Sequence, residues 1–99
     1  MDSMALEGIR VVDFTWVWAG PYCTKQLADM GAEVIKIETA TRPDEVRRGP
    51  PYKDGVPGLN RNATFNFFNR NKLSYSINLK APGGLELVKE IIATSDVVV

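Results

Sequence analysis

The chain has 99 residues, 44% of them hydrophobic, and its 12 basic and 12 acidic residues give a formal net charge of zero. That length corresponds to one domain or part of one, and the balanced charge argues against a general nucleic-acid-binding or membrane-surface protein. No apolar run approaches the ~20 residues of a transmembrane helix and no signal-peptide pattern is present, so we expect a soluble, cytoplasmic protein. The single cysteine, Cys23, fits a reducing compartment.

The first predicted element is a buried strand at residues 9–14. This run is almost continuously apolar, which is typical of a parallel strand covered on both faces. Asp13 interrupts the run near its carboxyl end, where a carboxylate is either catalytic or an acceptor for nearby loop amides. We favour the structural role, since buried carboxylates normally have hydrogen-bond partners.

Two tryptophans follow this strand. Trp16 and Trp18 are two residues apart, so an extended backbone would point both indoles to the same side. They are either core residues or a flat wall for an adenine ring or an apolar acyl group. The sequence leaves both interpretations open.

A short helix is predicted between Gly20-Pro21 and Gly31. Proline suits the first helical position and glycine suits a left-handed helix end. The apolar face predicted to be buried has the spacing i, i+4 and i+7 and consists of Cys23, Leu27 and Met30. The helix N-terminus favours an anion, but the G-x-G-x-x-G fingerprint is missing, which disfavours an NAD site.

A second strand at Val34 to Ile37 completes a βαβ unit, whose two strands must be parallel. Ligands of such sheets gather beyond the carboxyl ends of the strands, which here means Thr15 to Gly20. The rest of the chain predicts a long loop (39–58), a helix (63–71), a strand (73–79), a second crossover helix (82–94) and a final strand (97–99). The predicted fold is therefore α/β, a Rossmann-like parallel sheet with flanking helices. Because the final strand would leave a parallel edge uncovered, we expect the sequence to be the front of a longer protein.

The residue types present exclude several chemistries. Without histidine, the chain offers no His-dependent triad and no usual zinc site, and no pair of carboxylates on one element has the spacing of a glycosidase or protease dyad. We therefore assign no catalytic residue and no metal ligand. Between Asp54 and Glu86 there is no acidic residue, whereas four basic ones occur there: Arg61, Arg70, Lys72 and Lys80. This basic segment is either a solvated face balanced by distant carboxylates or a site for a phosphate-bearing cofactor.

Five segments in order carry a family resemblance: LEGIRVVDFT, AGP, LADMGAEVIKIE, NRNK and INLK. From Leu6 to Val99 the chain resembles the start of the class III CoA-transferase family, which also contains α-methylacyl-CoA racemase. The resemblance implies that residues 1–99 are the amino-terminal portion of a CoA-binding Rossmann-like domain that continues past residue 99. It also implies a homodimer whose subunits are interlocked.

The activity implied by the resemblance is transfer of CoA between organic acids. In the family, an aspartate attacks the acyl-CoA and an aspartyl-CoA thioester follows; that aspartate belongs to later parts of the family sequence, so we expect this chain alone to be inactive. The implied partners are acyl-CoA and a carboxylic acid acceptor. Two alternatives stay open, an acyl-CoA racemase fragment that transfers the α-proton and a non-catalytic module that binds CoA or dimerises.

The resemblance also assigns contacts with coenzyme A. The dipeptide before the family's Gly-Pro matches Trp18-Ala19, with Val17 beside it. A second family segment, which ends in lysine, matches Ile77, Asn78, Leu79 and Lys80. Many members carry an arginine directly after the second strand; that position is Thr39 here, and Arg42 or Arg47 is the expected substitute. Trp18 is bulkier than the usual residue, which implies a more aromatic acyl pocket.

Overall fold

The computed structural model describes residues 3–99, which form a four-stranded parallel sheet with helices on both faces. The elements are β1 (Arg10–Asp13), α1 (Ala19–Asp29), β2 (Glu33–Glu38), α2 (Ala63–Phe68), β3 (Leu73–Ser76), α3 (Gly84–Ala93) and β4 (Val97–Val98). The strand order is β3-β2-β1-β4, and every neighbouring pair is parallel. The predicted α/β, Rossmann-like architecture is confirmed.

Alternate residues of the inner strands β1 and β2 face opposite helices. Val11 and Val34 pack with Ala28 of α1, whereas Val12 and Ile37 pack with Val88 of α3. The four strand residues are at most 5% exposed. The run at residues 9–14 is almost continuously apolar because both faces of β1 are covered.

Helix α1 presents a different face to the sheet from the one predicted. Its buried residues are Pro21, Thr24, Lys25 and Ala28. The prediction of a buried Cys23 is wrong, because Cys23 is exposed, as is Met30. The physical reason is a polar contact: the Thr24 hydroxyl donates to Asp13 Oδ2 at 2.7 Å, which turns that side of the helix toward β1. The helix also begins at Ala19, so proline occupies its third position.

The outer strands are shorter than predicted. Strand β3 ends at Ser76, although the Ile77 amide still donates to the Glu38 carbonyl of β2 at 2.8 Å. Residues 78–83 then turn, and α3 begins only at Gly84, after Gly83 in the left-handed region (φ 80°). None of the helices between residues 3 and 99 is long and apolar enough to cross a membrane.

Candidate functional site

The charged residues at the carboxyl ends of β1 and β2 are buried in ion pairs. On the sheet face that packs against α1, the apolar row of Val11 and Val34 is continued toward the carboxyl edge by charged residues. The pairs are Asp13–Lys72 at 2.9 Å, Lys36–Asp44 at 2.8 Å and Glu38–Arg47 at 2.7 Å. The side chains of the first two pairs are at most 2% exposed, so each charge depends on its partner.

Asp13 has the structural role that we favoured from the sequence. Its carboxylate accepts the backbone N–H of Thr15 at 2.8 Å and the Thr24 hydroxyl at 2.7 Å, and pairs with Lys72. Burial raises the pKa of Asp13, but the hydrogen bonds from Thr15, Thr24 and Lys72 outweigh burial and hold that pKa below its ordinary value. Asp13 is 0% exposed and thus closed to any substrate.

The Lys36–Asp44 pair joins the turn after β1 to the loop after β2. Lys36 Nζ also donates to the Thr15 carbonyl at 2.9 Å. Asp44 Oδ1 accepts the backbone N–H groups of Val17 at 3.0 Å and Val46 at 3.1 Å. The two segments are therefore fixed to each other by one buried pair of charges.

Most of the basic segment is balanced by distant carboxylates. Arg70 pairs with Asp29 at 3.0 Å, Lys72 with Asp13, and Arg61 with Asp54 at 3.6 Å. The hydrogen bond from Arg70 is the main reason that the pKa of Asp29 is lowered to about 2. Of the two interpretations of the basic segment, the one in which carboxylates balance it holds for these three residues. Within the described part of the chain, Lys80 is the member of the segment that forms no ion pair.

A concave surface, here called the edge pocket, lies at the carboxyl edge of the sheet. Its larger part has a volume of ≈ 300 Å³ and is lined by Thr39, Thr41, Arg42, Asn78, Leu79 and Lys80. A smaller part of ≈ 130 Å³ shares Thr39, Arg42 and Leu79, and adds Glu38 and apolar residues that include Trp16 and Ile77. The Arg42 guanidinium lies 5.4 Å from the centre of the Trp16 ring. The pocket thus combines cations with a flat aromatic side chain.

Six of the nine predicted site residues line the edge pocket, and three do not. Those that do are Thr39, Arg42, Ile77, Asn78, Leu79 and Lys80. Trp18 and Ala19 instead border an exposed aromatic surface with Tyr22 and Phe68, where the rings of Trp18 and Phe68 are 5.7 Å apart. Val17 is exposed and lies in the chain between Trp16, at the edge pocket, and Trp18, at the aromatic surface.

The two tryptophans diverge, so they do not form one shared wall, which was one of the two interpretations left open. A shared wall required an extended backbone, but Val17 lies in the left-handed region with φ 71°. The chain therefore turns between the indoles. Trp16 faces the edge pocket, whereas Trp18 is 59% exposed and packs toward α2.

Arg42 and Arg47, the two alternatives for the missing arginine, have different roles. Arg47 donates to both carboxylate oxygens of Glu38, and its guanidinium lies 3.5 Å from the centre of the Phe65 ring. Arg42 is exposed at the pocket. Arg47 is thus bound into the structure, and Arg42 is available to a ligand.

The turn at residues 78–81 rests on the first residue of α3. A Cβ atom at Gly84 would overlap the Asn78 carbonyl, so only glycine permits this close approach. The Asn78 side chain accepts the Lys80 N–H at 2.9 Å, and its carbonyl accepts the Ala81 N–H at 3.1 Å. The Gly83-Gly84 pair in the sequence is the signal that could have predicted this contact.

The fold and the edge pocket together define an α/β protein with a pocket at the edge where such sheets bind ligands. The chain belongs to CoA-transferase family III, whose family model matches residues 6–99. It is 46% identical over 101 residues to succinyl-CoA:glutarate CoA-transferase from Mus musculus, covering 99% of this chain and 22% of that protein. It is 41% identical to formyl-CoA:oxalate CoA-transferase from Rhodopseudomonas palustris, covering 98% and 22%. The predicted family resemblance is confirmed.

Solved structures show the same relationship. A CaiB/BaiF family protein from Brucella suis matches with a TM-score of 0.84 and 35% identity, covering 98% of this chain and 25% of that one. A hypothetical protein from Mycobacterium tuberculosis matches with a TM-score of 0.78 and 32% identity, covering 97% and 25%. The chain thus spans about a quarter of the length of the proteins that it matches.

Proposed function

We propose that this chain supplies the CoA-binding surface of a CoA-transferase that moves CoA between organic acids through an aspartyl-CoA thioester. The observation that carries the proposal is the edge pocket. It unites two segments that are far apart in sequence and that the family resemblance assigns to CoA, the segment at Thr39 to Arg42 and the turn at Ile77 to Lys80.

The chemistry of the edge pocket supports a ligand with phosphates and a flat ring, such as the nucleotide end of CoA. Arg42 and Lys80 offer cationic donors for phosphate oxygens, and Trp16 and Leu79 offer apolar area for an adenine ring. A hydrogen bond to a charged group contributes about 1.5–3 kcal/mol. The exposed aromatic surface around Trp18 is our candidate for contact with the acyl end.

The state of the carboxylates supports a nucleophile from outside these 99 residues. Asp13, Glu38 and Asp44 stand at the carboxyl edge of the sheet, but each is buried and paired with a cation. A paired, buried carboxylate cannot reach a thioester carbon without losing its partner. Exchange of CoA between two carboxylic acids by the 99-residue chain alone would contradict this part of the proposal.

Titration calorimetry of the purified protein with CoA tests the binding site. We expect Arg42→Ala and Lys80→Ala each to weaken CoA binding by about tenfold, the equivalent of one charge-assisted hydrogen bond at 1.4 kcal/mol per decade. Dephospho-CoA, which lacks the 3′-phosphate, should identify the cation that contacts this phosphate. The variant without that cation will bind CoA and dephospho-CoA with equal affinity.

Lys89→Ala is the matched control. Lys89 is an exposed cation of α3, 3.6 Å from Glu86 and outside the edge pocket. Its removal changes the net charge by the same amount, so CoA affinity should stay at the parental value. Equal losses in all three variants would mean that CoA responds to overall charge, and the edge pocket would not be its site.

A further inference from the structure

We propose that Asp44 is a positioning residue that holds the Trp16 and Arg42 walls of the edge pocket in their relative orientation. The predicted effect on CoA affinity rests on the proposed function, whereas the effect on Trp16 itself does not. Asp44 does not line the edge pocket and is 0% exposed, so it acts through the backbone of its neighbours.

Asp44 is the junction of two chain segments. Its Oδ1 accepts the Val17 N–H from the turn after β1 and the Val46 N–H from its own loop, at 3.0 and 3.1 Å. Its Oδ2 accepts from Lys36 Nζ at 2.8 Å. Both oxygens of the carboxylate are therefore used, and the contacts reach the turn after β1, strand β2 and the loop of Asp44 itself.

Trp16 is held on both sides by this arrangement. The residue before it, Thr15, offers its carbonyl to Lys36 at 2.9 Å, and the residue after it, Val17, donates its N–H to Asp44. The ion pair of Lys36 and Asp44 thus fixes the backbone around the indole. The contact to Val17 also supports its left-handed conformation, which separates Trp16 from Trp18.

The opposite wall is tied to the same residue through its backbone N–H. Arg42 lies two residues before Asp44 in the chain, and the Asp44 N–H donates to Glu38 Oε2 at 2.8 Å. Glu38 ends β2, so the loop that carries Arg42 starts at the sheet and returns to it at Asp44. Loss of the Asp44 charge leaves this backbone contact in place but weakens the contacts to Lys36 and Val17, so it should move Trp16 relative to Arg42, now 5.4 Å away.

Tryptophan emission tests the proposal without any ligand. The chain has two tryptophans, so Trp18→Phe leaves Trp16 as the single reporter. In that background we expect Asp44→Asn, which keeps the volume but loses the charge facing Lys36, to shift Trp16 emission to the red and to increase its quenching by acrylamide. In the protein that retains Trp18, the same change should weaken CoA binding by about tenfold, the equivalent of one charge-assisted hydrogen bond.

Two further variants separate positioning from stability. Val34→Ala destabilises the cluster on the α1 face without touching the edge pocket, so it should leave Trp16 emission unchanged at a temperature where circular dichroism shows all proteins folded. Asp44→Glu keeps the charge on a longer side chain, so we expect a red shift that is measurable but smaller than that of Asp44→Asn. The smaller shift tests the proposal by itself if Asp44→Asn does not fold.

The outcomes distinguish this proposal from the proposed function. Unchanged Trp16 emission in the Asp44 variants, or an equal shift in Val34→Ala, overturns the positioning role whatever happens to CoA affinity. A red shift in the Asp44 variants alone supports it. If the parental protein does not bind CoA but the shift is present, the proposed function fails and the role of Asp44 in orienting Trp16 stands.

Discussion

The inner and outer strands of the sheet carry similar apolar residues but differ in what surrounds them. In β1 and β2, Val11, Val12 and Val34 are 0% exposed. In the outer strands, every residue of β3 and β4 is exposed, including Leu73 at 54% and Val98 at 51%. An apolar pattern therefore identifies a strand, but the place of the strand in the sheet decides how much that pattern contributes to stability.

Ion pairs at the two ends of the inner strands differ in burial in the same way, and this gives the largest predicted effect. Lys72→Met removes the partner of buried Asp13 and should lower the free energy of unfolding by about 3–5 kcal/mol. Arg10→Ala removes an exposed partner of Glu33 and should cost at most about 1 kcal/mol. Urea denaturation measures both, and equal costs would show that burial does not set the strength of these pairs.

Two aliphatic truncations test the comparison of inner and outer strands without changing any charge. Val34→Ala in β2 should lower the free energy of unfolding by about 2 kcal/mol, since the side chain is fully buried. Leu73→Ala in β3 removes more carbon atoms, yet it should cost less than about 0.5 kcal/mol. Thermal denaturation by circular dichroism ranks the two, and a larger loss for Leu73→Ala would mean that β3 is covered in solution.

The pH dependence of stability is the smallest of the predicted effects. Burial raises the pKa values of Asp13 and Glu38, but hydrogen bonds to Thr15 and Arg47 outweigh it, so both lie below the ordinary 3.8 and 4.5. The folded state thus binds these protons less tightly than the unfolded state. Their contribution to stability is complete above about pH 5 and is lost as the pH falls through the lowered pKa values. Urea midpoints between pH 5 and pH 3 should therefore fall.

Glu38→Gln is the variant that assigns part of this pH dependence. Its amide cannot titrate, so its urea midpoint should fall less steeply with acid than that of the parent. An identical slope in both proteins would place the acid sensitivity in other groups.

The sequence predicted the βαβ unit well because its signals are local. The apolar runs of β1 and β2, and Gly31 at the end of α1, are each readable within a few residues. The ion pairs were missed because their partners, such as Asp44 and Lys72, lie in loops whose positions depend on the whole fold. One local signal was available: Lys36 and Glu38 follow Val34 at a period of two, so charges share the face of a buried valine.

Part of the candidate site could be predicted because it follows from the order and direction of the strands. The segments at Thr39 to Arg42 and Ile77 to Lys80 meet because parallel strands end at one edge, which topology alone requires. The separation of Trp16 from Trp18 depends instead on a single backbone angle at Val17. Valine is a poor residue for that conformation, so its identity gave no warning.

The conformation of Val17 also has an energetic meaning. A β-branched residue in the left-handed region costs roughly 1–2 kcal/mol relative to a relaxed backbone, and glycine would avoid most of that cost. The side chain is 43% exposed and thus adds little to the core. The protein therefore has, beside its edge pocket, a valine that stability alone would not favour. The hydrogen bond from the Val17 N–H to Asp44 offsets part of the conformational cost at that position.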